Sequence, residues 1–351
     1  MTAAADSGGS ALPRTVLGDG LEVSAVGFGA MALSGVYGDV EADEALATLH
    51  YAVDVGMTFV DTADVYGDGD NERLVARLVA DRRDEVQLAT KFGITGSIAR
   101  KTMRADNGPA YVRRAVDASL QRLGTDVIDL YYLHRRQVTV PIADVVGVMA
   151  DLVTAGKVRP LGLSEVTADE LEAANAVHPI AAVQSEWSVW SRDVEAAVVP
   201  TAARLGIGFV PYSPLGRGFL TGALSSPETF AGDWRSGLTR FSGDAFDANQ
   251  VVVRALTAIG AEAGATPAQV ALTWLRAQGA RLGLPVVPIP GTRRPARVSE
   301  NAASTDVHLT DEQIQVLETL SAGVVGHRSD VDDPDWTSDT RERRSAGRSD
   351  A

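Results

Sequence analysis

Short apolar runs of strand length alternate eight times with helical stretches along this chain, and that alternation constrains its fold more than any other feature. The strand-like runs are Ser24–Phe28, Thr58–Val60, Glu85–Thr90, Val127–Leu133, Val158–Leu163, Ala181–Gln184, Gly208–Tyr212 and Val286–Ile289. Helical periodicity covers Glu41–Val55, Asn71–Asp81, Pro109–Leu123, Ile142–Ala155, Thr167–Ala176 and Val194–Leu205. Pro109 suits a first helical turn, and Thr167 with Glu170 reads as a capping box. After the seventh run comes an insertion, roughly Gly216–Phe246, then helices at Asn249–Ala263 and Pro267–Gln278. Two more helices, Arg294–Ala303 and Thr310–Ser321, follow the eighth run. Eight strand–helix units are the number that closes an α/β (β/α)8 TIM barrel. An open doubly wound sheet normally shows fewer strands. Gly27-Phe-Gly29 is a poor dinucleotide fingerprint, because Leu33–Gly38 cannot open the helix such a motif needs.

Ahead of the first unit, Arg14–Leu17 and Leu21–Val23 flank a Gly-containing turn and predict a β-hairpin. Residues 1–12 are small and polar, and from Gly326 onward the chain is rich in Asp, Arg, Ser and Gly; both termini are expected to be disordered. That leaves 13–325 as one barrel domain. There is no cysteine, which excludes disulfides and thiolate chemistry. A net charge of −14 argues against nucleic acid and anionic membrane as partners. No run is long enough to span a bilayer and the start of the chain lacks a secretory signal, so a cytoplasmic protein is expected. Oligomeric state, monomer or homo-oligomer, is left open.

In a barrel, functional side chains gather at the carboxyl ends of the strands. Those positions here hold Asp61, Lys91, His134, Ser164-Glu165, Gln184-Ser-Glu186 and Tyr212-Ser213. Tyr66 follows Asp61 on a turn closed by Gly67-Asp-Gly69. Singly, each has a bland reading as a solvated rim residue, a packed histidine or a turn tyrosine. Together they offer a use. A free phenol titrates near 10 and is a weak acid at neutral pH. A lysine ammonium, itself paired with Asp61, favours the phenolate of Tyr66 and brings it toward a useful range. His134 suits orienting a carbonyl oxygen.

The segments Asp61-Thr-Ala-Asp-Val-Tyr-Gly67, Thr90-Lys-Phe-Gly93, Tyr131-Tyr-Leu-His134, Gly162-Leu-Ser-Glu165, Val183-Gln-Ser-Glu186, Pro211-Tyr-Ser-Pro-Leu-Gly-Arg-Gly218 and Pro288-Ile-Pro-Gly-Thr292 resemble, in order and spacing, the aldo-keto reductase superfamily. The resemblance runs from about Arg14 to Ala322 and is closest to a bacterial and plant branch. It implies a (β/α)8 barrel binding NADP(H) without a Rossmann fold, and reduction of a small aldehyde or ketone. It implies a catalytic tetrad of Asp61, Tyr66, Lys91 and His134, with Tyr66 as proton donor and no metal. Ser164, Glu165 and Gln184 match the holders of the nicotinamide carboxamide; Glu165 stands where many members have Asn. Tyr212 matches the residue stacked on the nicotinamide. Ser213, Pro214, Leu215, Gly216 and Arg217 match the pyrophosphate loop, and Gly29 and Met31 lie near the cofactor. Gly291, Arg293, Arg297, Glu300 and Asn301 match the adenosine 2′-phosphate and adenine site, which favours NADP over NAD. Tyr37, Trp187 and Trp190 are expected to line the substrate pocket. The potassium-channel β-subunits resemble the same family, so an NADP(H)-binding redox sensor is the alternative reading.

Overall fold

The computed structural model describes residues 12–98, 100–230, 232–329, 331 and 333–349. The expected disorder of residues 1–12 therefore falls, apart from Leu12, outside the described residues.

A parallel sheet of seven strands curls into a nearly closed barrel. In chain order the chain opens with an antiparallel hairpin, β1 (Arg14–Val16) and β2 (Glu22–Ser24), as expected. The barrel strands are β3 (Phe28–Gly29), β4 (Phe59–Asp61), β5 (Gln87–Phe92), β8 (Leu130–Leu133), β9 (Leu161–Ser164), β10 (Ile180–Glu186) and β11 (Gly208–Tyr212). A short ribbon, β6 (Ile94–Thr95) and β7 (Arg104–Ala105), rises above β5. Around the sheet run α1 (Ala42–Asp54), α2 (Asp70–Arg82), α3 (Pro109–Leu123), α4 (Ile142–Thr154), α5 (Ala168–Asn175), α6 (Val198–Leu205), α7 (Gly243–Ala263), α8 (Pro267–Leu282), α9 (Pro295–Ala302) and α10 (Asp311–Leu320). Thr167 and Glu170 make the reciprocal capping-box bonds at α5.

The eighth strand departs from expectation. Val286–Ile289 lies between β11 and β3 and closes the ring, but does not form a continuous ladder. Val287 N donates to Phe209 O, Ile289 N to Pro211 O, and Gly27 N to Pro288 O. Pro285, Pro288 and Pro290 have no N–H to give, so alternate bonds of a ladder are missing.

Side chains inside the barrel form a compact cluster of Phe59, Ala89, Leu130, Tyr132, Ala182, Val210 and Val287, joined from below by Leu17 and Val23 of the hairpin. Leu17 plugs the amino-terminal end: a Cβ on Gly208 would meet its Cδ2 at 2.3 Å. A larger apolar shell lies between strands and helices. With one end plugged, the carboxyl end is the open one.

The chain beyond Gly326 is a correction. It was expected to be disordered, yet it crosses the barrel mouth and ends in α11 (Ser338–Ser349). Arg328, buried, ion-pairs with Glu165 at the end of β9. Arg341 donates to Glu165 O and to Glu170. Trp336 packs with Ala63, Val65, Tyr66 and Ile94. One buried ionic cluster and one aromatic side chain outweigh a polar composition.

Gly162 of β9 sits beside Tyr132 of β8, and a Cβ there would lie 2.4 Å from the Tyr132 ring. Gly162→Ala should therefore cost about 1–3 kcal/mol, the usual range for overpacking. Urea unfolding checks this; an unchanged midpoint would contradict the packing described.

Candidate active site

Asp61 ends β4, Lys91 lies in β5 and His134 directly follows β8, whose register with β5 is set by Lys91 opposite Tyr132. His134 N donates to Phe92 O at 2.7 Å, fixing its backbone at the top of the barrel. Tyr66 rides on the tight turn after β4, where Gly67 and Gly69 take up positive φ.

Lys91 and Asp61 form a fully buried ion pair. The Lys91 ammonium also donates to Thr62 O at 2.8 Å, and Gln184 Nε2 donates to Asp61 Oδ2 at 2.9 Å. Burial pushes the Asp61 carboxyl up and the Lys91 ammonium down, and each is opposed by its partner. Both carboxylate oxygens accept and none donates, which suits the ionised pair. Lys91 Nζ lies 5.2 Å from the centre of the Tyr66 ring. The Tyr66 and His134 rings meet edge to face at 5.9 Å and 85°. The four expected catalytic residues are thus brought together.

The charges act on Tyr66 differently from expectation. Burial pushes its phenol up, Asp61 adds to the rise, and Arg135 opposes it without reversing it. Tyr66 therefore carries its proton at neutral pH. His134 is held well below the ordinary imidazole range by burial first, then by Arg135 and Lys91, so it is neutral. Its Nδ1 is buried without a protein partner among the described residues.

Above these residues opens a cavity of about 920 Å³. Asp61, Tyr66, His134, Gln184 and Tyr212 form its floor and near wall, and Met31 and Tyr37 face it from the loop after β3. Burial raises the Tyr37 phenol to about 12, opposed by Arg217 and Arg235. Ser213, Pro214, Leu215 and Arg217 line it along a loop in which Ser213, Gly216, Arg217 and Gly218 all have positive φ. Such a run turns successive N–H groups to one side, a concave cradle suited to an anion. Gly29, Gly291, Arg293, Arg297, Glu300 and Asn301 complete the far end. The two glycines have a packing reason as well: a Cβ on Gly29 would meet Ile289 O at 2.6 Å, and one on Gly291 would meet Gly29 O at 2.5 Å.

Several expected residues sit elsewhere. Trp187 is wholly buried against Phe209 and Trp274, and Trp190 stacks on Phe219 behind Gly216; neither lines the cavity. Both belong to an aromatic core that also holds Phe241 and Phe246. Ser164, Glu165 and Gly216 also lie off the wall. The Glu165 carboxylate accepts from Arg328, from Tyr212 Oη at 2.8 Å and from Ser338 N at 2.9 Å. Burial pushes it up, but Arg328 and Arg135 hold it well below the usual carboxylate range. It anchors the C-terminal segment. Arg217 is paired with Glu186, and Arg293 bonds Gly38 O and Asp39 O.

Arg135, read from the sequence as a departure from the family pattern at the pocket rim, lines the wall; other wall residues were not singled out: Trp234 and Arg235 of the insertion, Ile98 and Met103 near the ribbon, and Arg328 and Trp336. Trp336 was the findable one, a lone large aromatic in a polar tail.

The arrangement fits an elongated nucleotide. Tyr212 offers a ring face at one end, the cradle lies in the middle, and Arg293, Arg294 and Arg297 stand at the other. Among the described residues there is no cluster of acids and histidines able to hold a metal.

The aldo/keto reductase family model matches residues 25–322, and the chain belongs to that family. It is 41% identical over 309 residues to a probable aldo-keto reductase 1 of Glycine max, covering 87% of this chain and 88% of that one. Among solved structures, it resembles a glycerol dehydrogenase of Gluconobacter oxydans (28% identity, TM-score 0.78, 91% of this chain and 97% of the other). It also resembles an aldo/keto reductase of Klebsiella pneumoniae crystallised with NADP and acetate (27% identity, TM-score 0.67, 91% and 100%). Among the described residues no helix is long and apolar enough to cross a membrane.

Because the fold keeps His134 neutral, the unfolded chain binds a proton below about pH 6.5 that the native state refuses. This contribution to stability is present above that pH and is lost as pH falls. His134→Gln should show a shallower fall in thermal midpoint between about pH 7 and 5 than the wild type. Parallel curves would contradict the burial of a neutral His134.

Proposed function

We propose that this chain reduces an aldehyde or ketone to the alcohol with NADPH. The observation that carries the reading is the buried Lys91–Asp61 pair beneath Tyr66, with His134 edge-on, at the floor of a cavity whose far rim is arginine-rich. When bound, NADPH supplies the hydride that the carbonyl carbon receives. The residues of the chain do the rest. Tyr66 donates its proton to the oxygen as negative charge develops; an alkoxide is a stronger base than a phenolate, so a phenol that holds its proton at rest still gives it up there. Neutral His134 can donate an N–H to the same oxygen and orient it. The Lys91 ammonium, close to the phenol ring, stabilises the phenolate left behind, and Asp61 with Gln184 holds that ammonium in place.

For the cofactor, Tyr212 offers its face to the nicotinamide and Gln184 a buried amide. The loop Ser213–Arg217 suits the pyrophosphate, while Arg293 and Arg297 suit the 2′-phosphate and Glu300 and Asn301 the adenine. On the substrate side Met31, Tyr37, Ile98, Met103, Trp234 and Trp336 line the cavity and favour a carbonyl with apolar bulk.

Tyr66→Phe should lower the rate of NADPH oxidation with a panel of aldehydes and ketones by about 100-fold or more while leaving NADPH affinity nearly unchanged. Wild-type protein that binds NADPH but turns over none of the panel would favour a redox-sensing role instead. Arg297→Ala should weaken NADPH by about 10- to 100-fold, the range for a charge-assisted contact, and NADH far less. Equal losses for both nucleotides would contradict the 2′-phosphate assignment.

A further inference from the structure

We propose that Arg135 makes the site prefer the reduced over the oxidised nicotinamide nucleotide; this rests on the cofactor reading above. Arg135 follows His134 directly, and its guanidinium lines the cavity. Its Nη1 donates to His134 O at 2.9 Å and to Ser164 Oγ at 3.4 Å, both neutral acceptors. Its Nε is buried without a partner, and no described carboxylate lies within 4.0 Å of it. The guanidinium carbon stands 5.9 Å from the Tyr212 ring centre and 5.4 Å from that of Trp336, a cation in the gap between two aromatic faces.

The neighbouring cations differ. Lys91 is matched by Asp61, Arg217 by Glu186, Arg235 by Asp233, and Arg328 by Glu165 and Asp339. Lys101, also without an ion pair, is exposed at the rim. Glu165 would by itself attract a positive ring, but its carboxylate is engaged by Arg328, Tyr212 and Ser338. Among the described residues Arg135 is therefore in no ion pair, and Glu165, the carboxylate whose charge it feels, is already bound by Arg328, where the Tyr212 face awaits a ring.

The two forms of the nucleotide share phosphates, riboses and adenine, so the arginines at the far end bind both alike. They differ in one charge: the reduced ring is neutral and the oxidised ring is a pyridinium. A ring stacked on Tyr212 shares its space with the guanidinium or pushes it aside. The side chain issues from the residue after His134, which tethers the cation at this end of the cavity. Like charges a few ångströms apart in a partly buried site repel appreciably, which disfavours the pyridinium. The guanidinium also competes for the electron-rich Tyr212 face that would otherwise attract it. The bias helps reduction, because the spent nucleotide is the form the site holds less well.

The test is a fluorescence titration of wild-type protein, Arg135→Lys and Arg135→Gln with NADPH and, separately, NADP+. Wild type should bind NADPH about tenfold or more tightly than NADP+, and the ratio should shrink with added salt. Arg135→Gln should bring the two affinities within about threefold, mainly by tightening NADP+, whereas Arg135→Lys should keep the preference. An unchanged ratio in Arg135→Gln, or a wild type that holds NADP+ as tightly as NADPH, overturns the proposal while leaving the cofactor reading intact. Failure of the wild type to bind either nucleotide overturns both.

Discussion

A lysine buried beside an aspartate is the constraint on which this barrel mouth depends. Removing either charge from water is expensive, and the cost is offset only when the partners meet in good geometry with their remaining donors and acceptors satisfied. Here β5 supplies Lys91, β4 supplies Asp61, the residue after it, Thr62, supplies the acceptor O, and β10 supplies Gln184. Three strands must therefore hold their relative heights for the pair to survive. Tyr66 sits where it does because its turn leaves β4 at Asp61, and His134 because β8 is hydrogen-bonded beside β5. The same pairing places a phenol and a neutral imidazole edge to face at the floor of the cavity.

A second ion pair, Glu165 with Arg328, ties the C-terminal segment across this face. Glu165 has positive φ, a conformation that costs a non-glycine residue and persists where surroundings over-determine it. Its many donors provide that determination. Through this anchor Trp336 reaches the cluster around Tyr66, so the wall of the cavity is built partly by the last residues of the chain. An acidic protein thus presents an arginine-lined mouth in which Arg217, Arg235 and Arg328 are already matched by carboxylates.

The barrel was legible because parallel strands buried on both faces read as apolar runs, and the first polar residue after each run marks the mouth. Asp61, Lys91, His134, Gln184 and Tyr212 were all found that way. The limits have physical causes. Prolines around Val286–Ile289 leave the strand pattern visible in the sequence while removing the donors a ladder needs. Trp187 and Trp190 looked like pocket aromatics, since nothing local distinguishes a rim tryptophan from one that packs on Phe209, Trp274 or Phe219 far along the chain. The C-terminal segment looked unstructured because its order comes from long-range contacts with Glu165 and Glu170, not from its own composition. Gly29 and Gly291, read as cofactor contacts, are also required where two backbones touch.

We propose above that a carbonyl held over the barrel floor takes a hydride from bound NADPH on carbon and a proton from Tyr66 on oxygen. This is tested most directly by incubating the protein with NADPH deuterated at both C4 positions of the nicotinamide and an apolar aldehyde, and analysing the alcohol by mass spectrometry. The account predicts deuterium on the carbinol carbon of the product, with the hydroxyl proton drawn from solvent. A protein that binds the nucleotide yet yields alcohol with no deuterium on carbon, or no alcohol from any carbonyl offered, would contradict it.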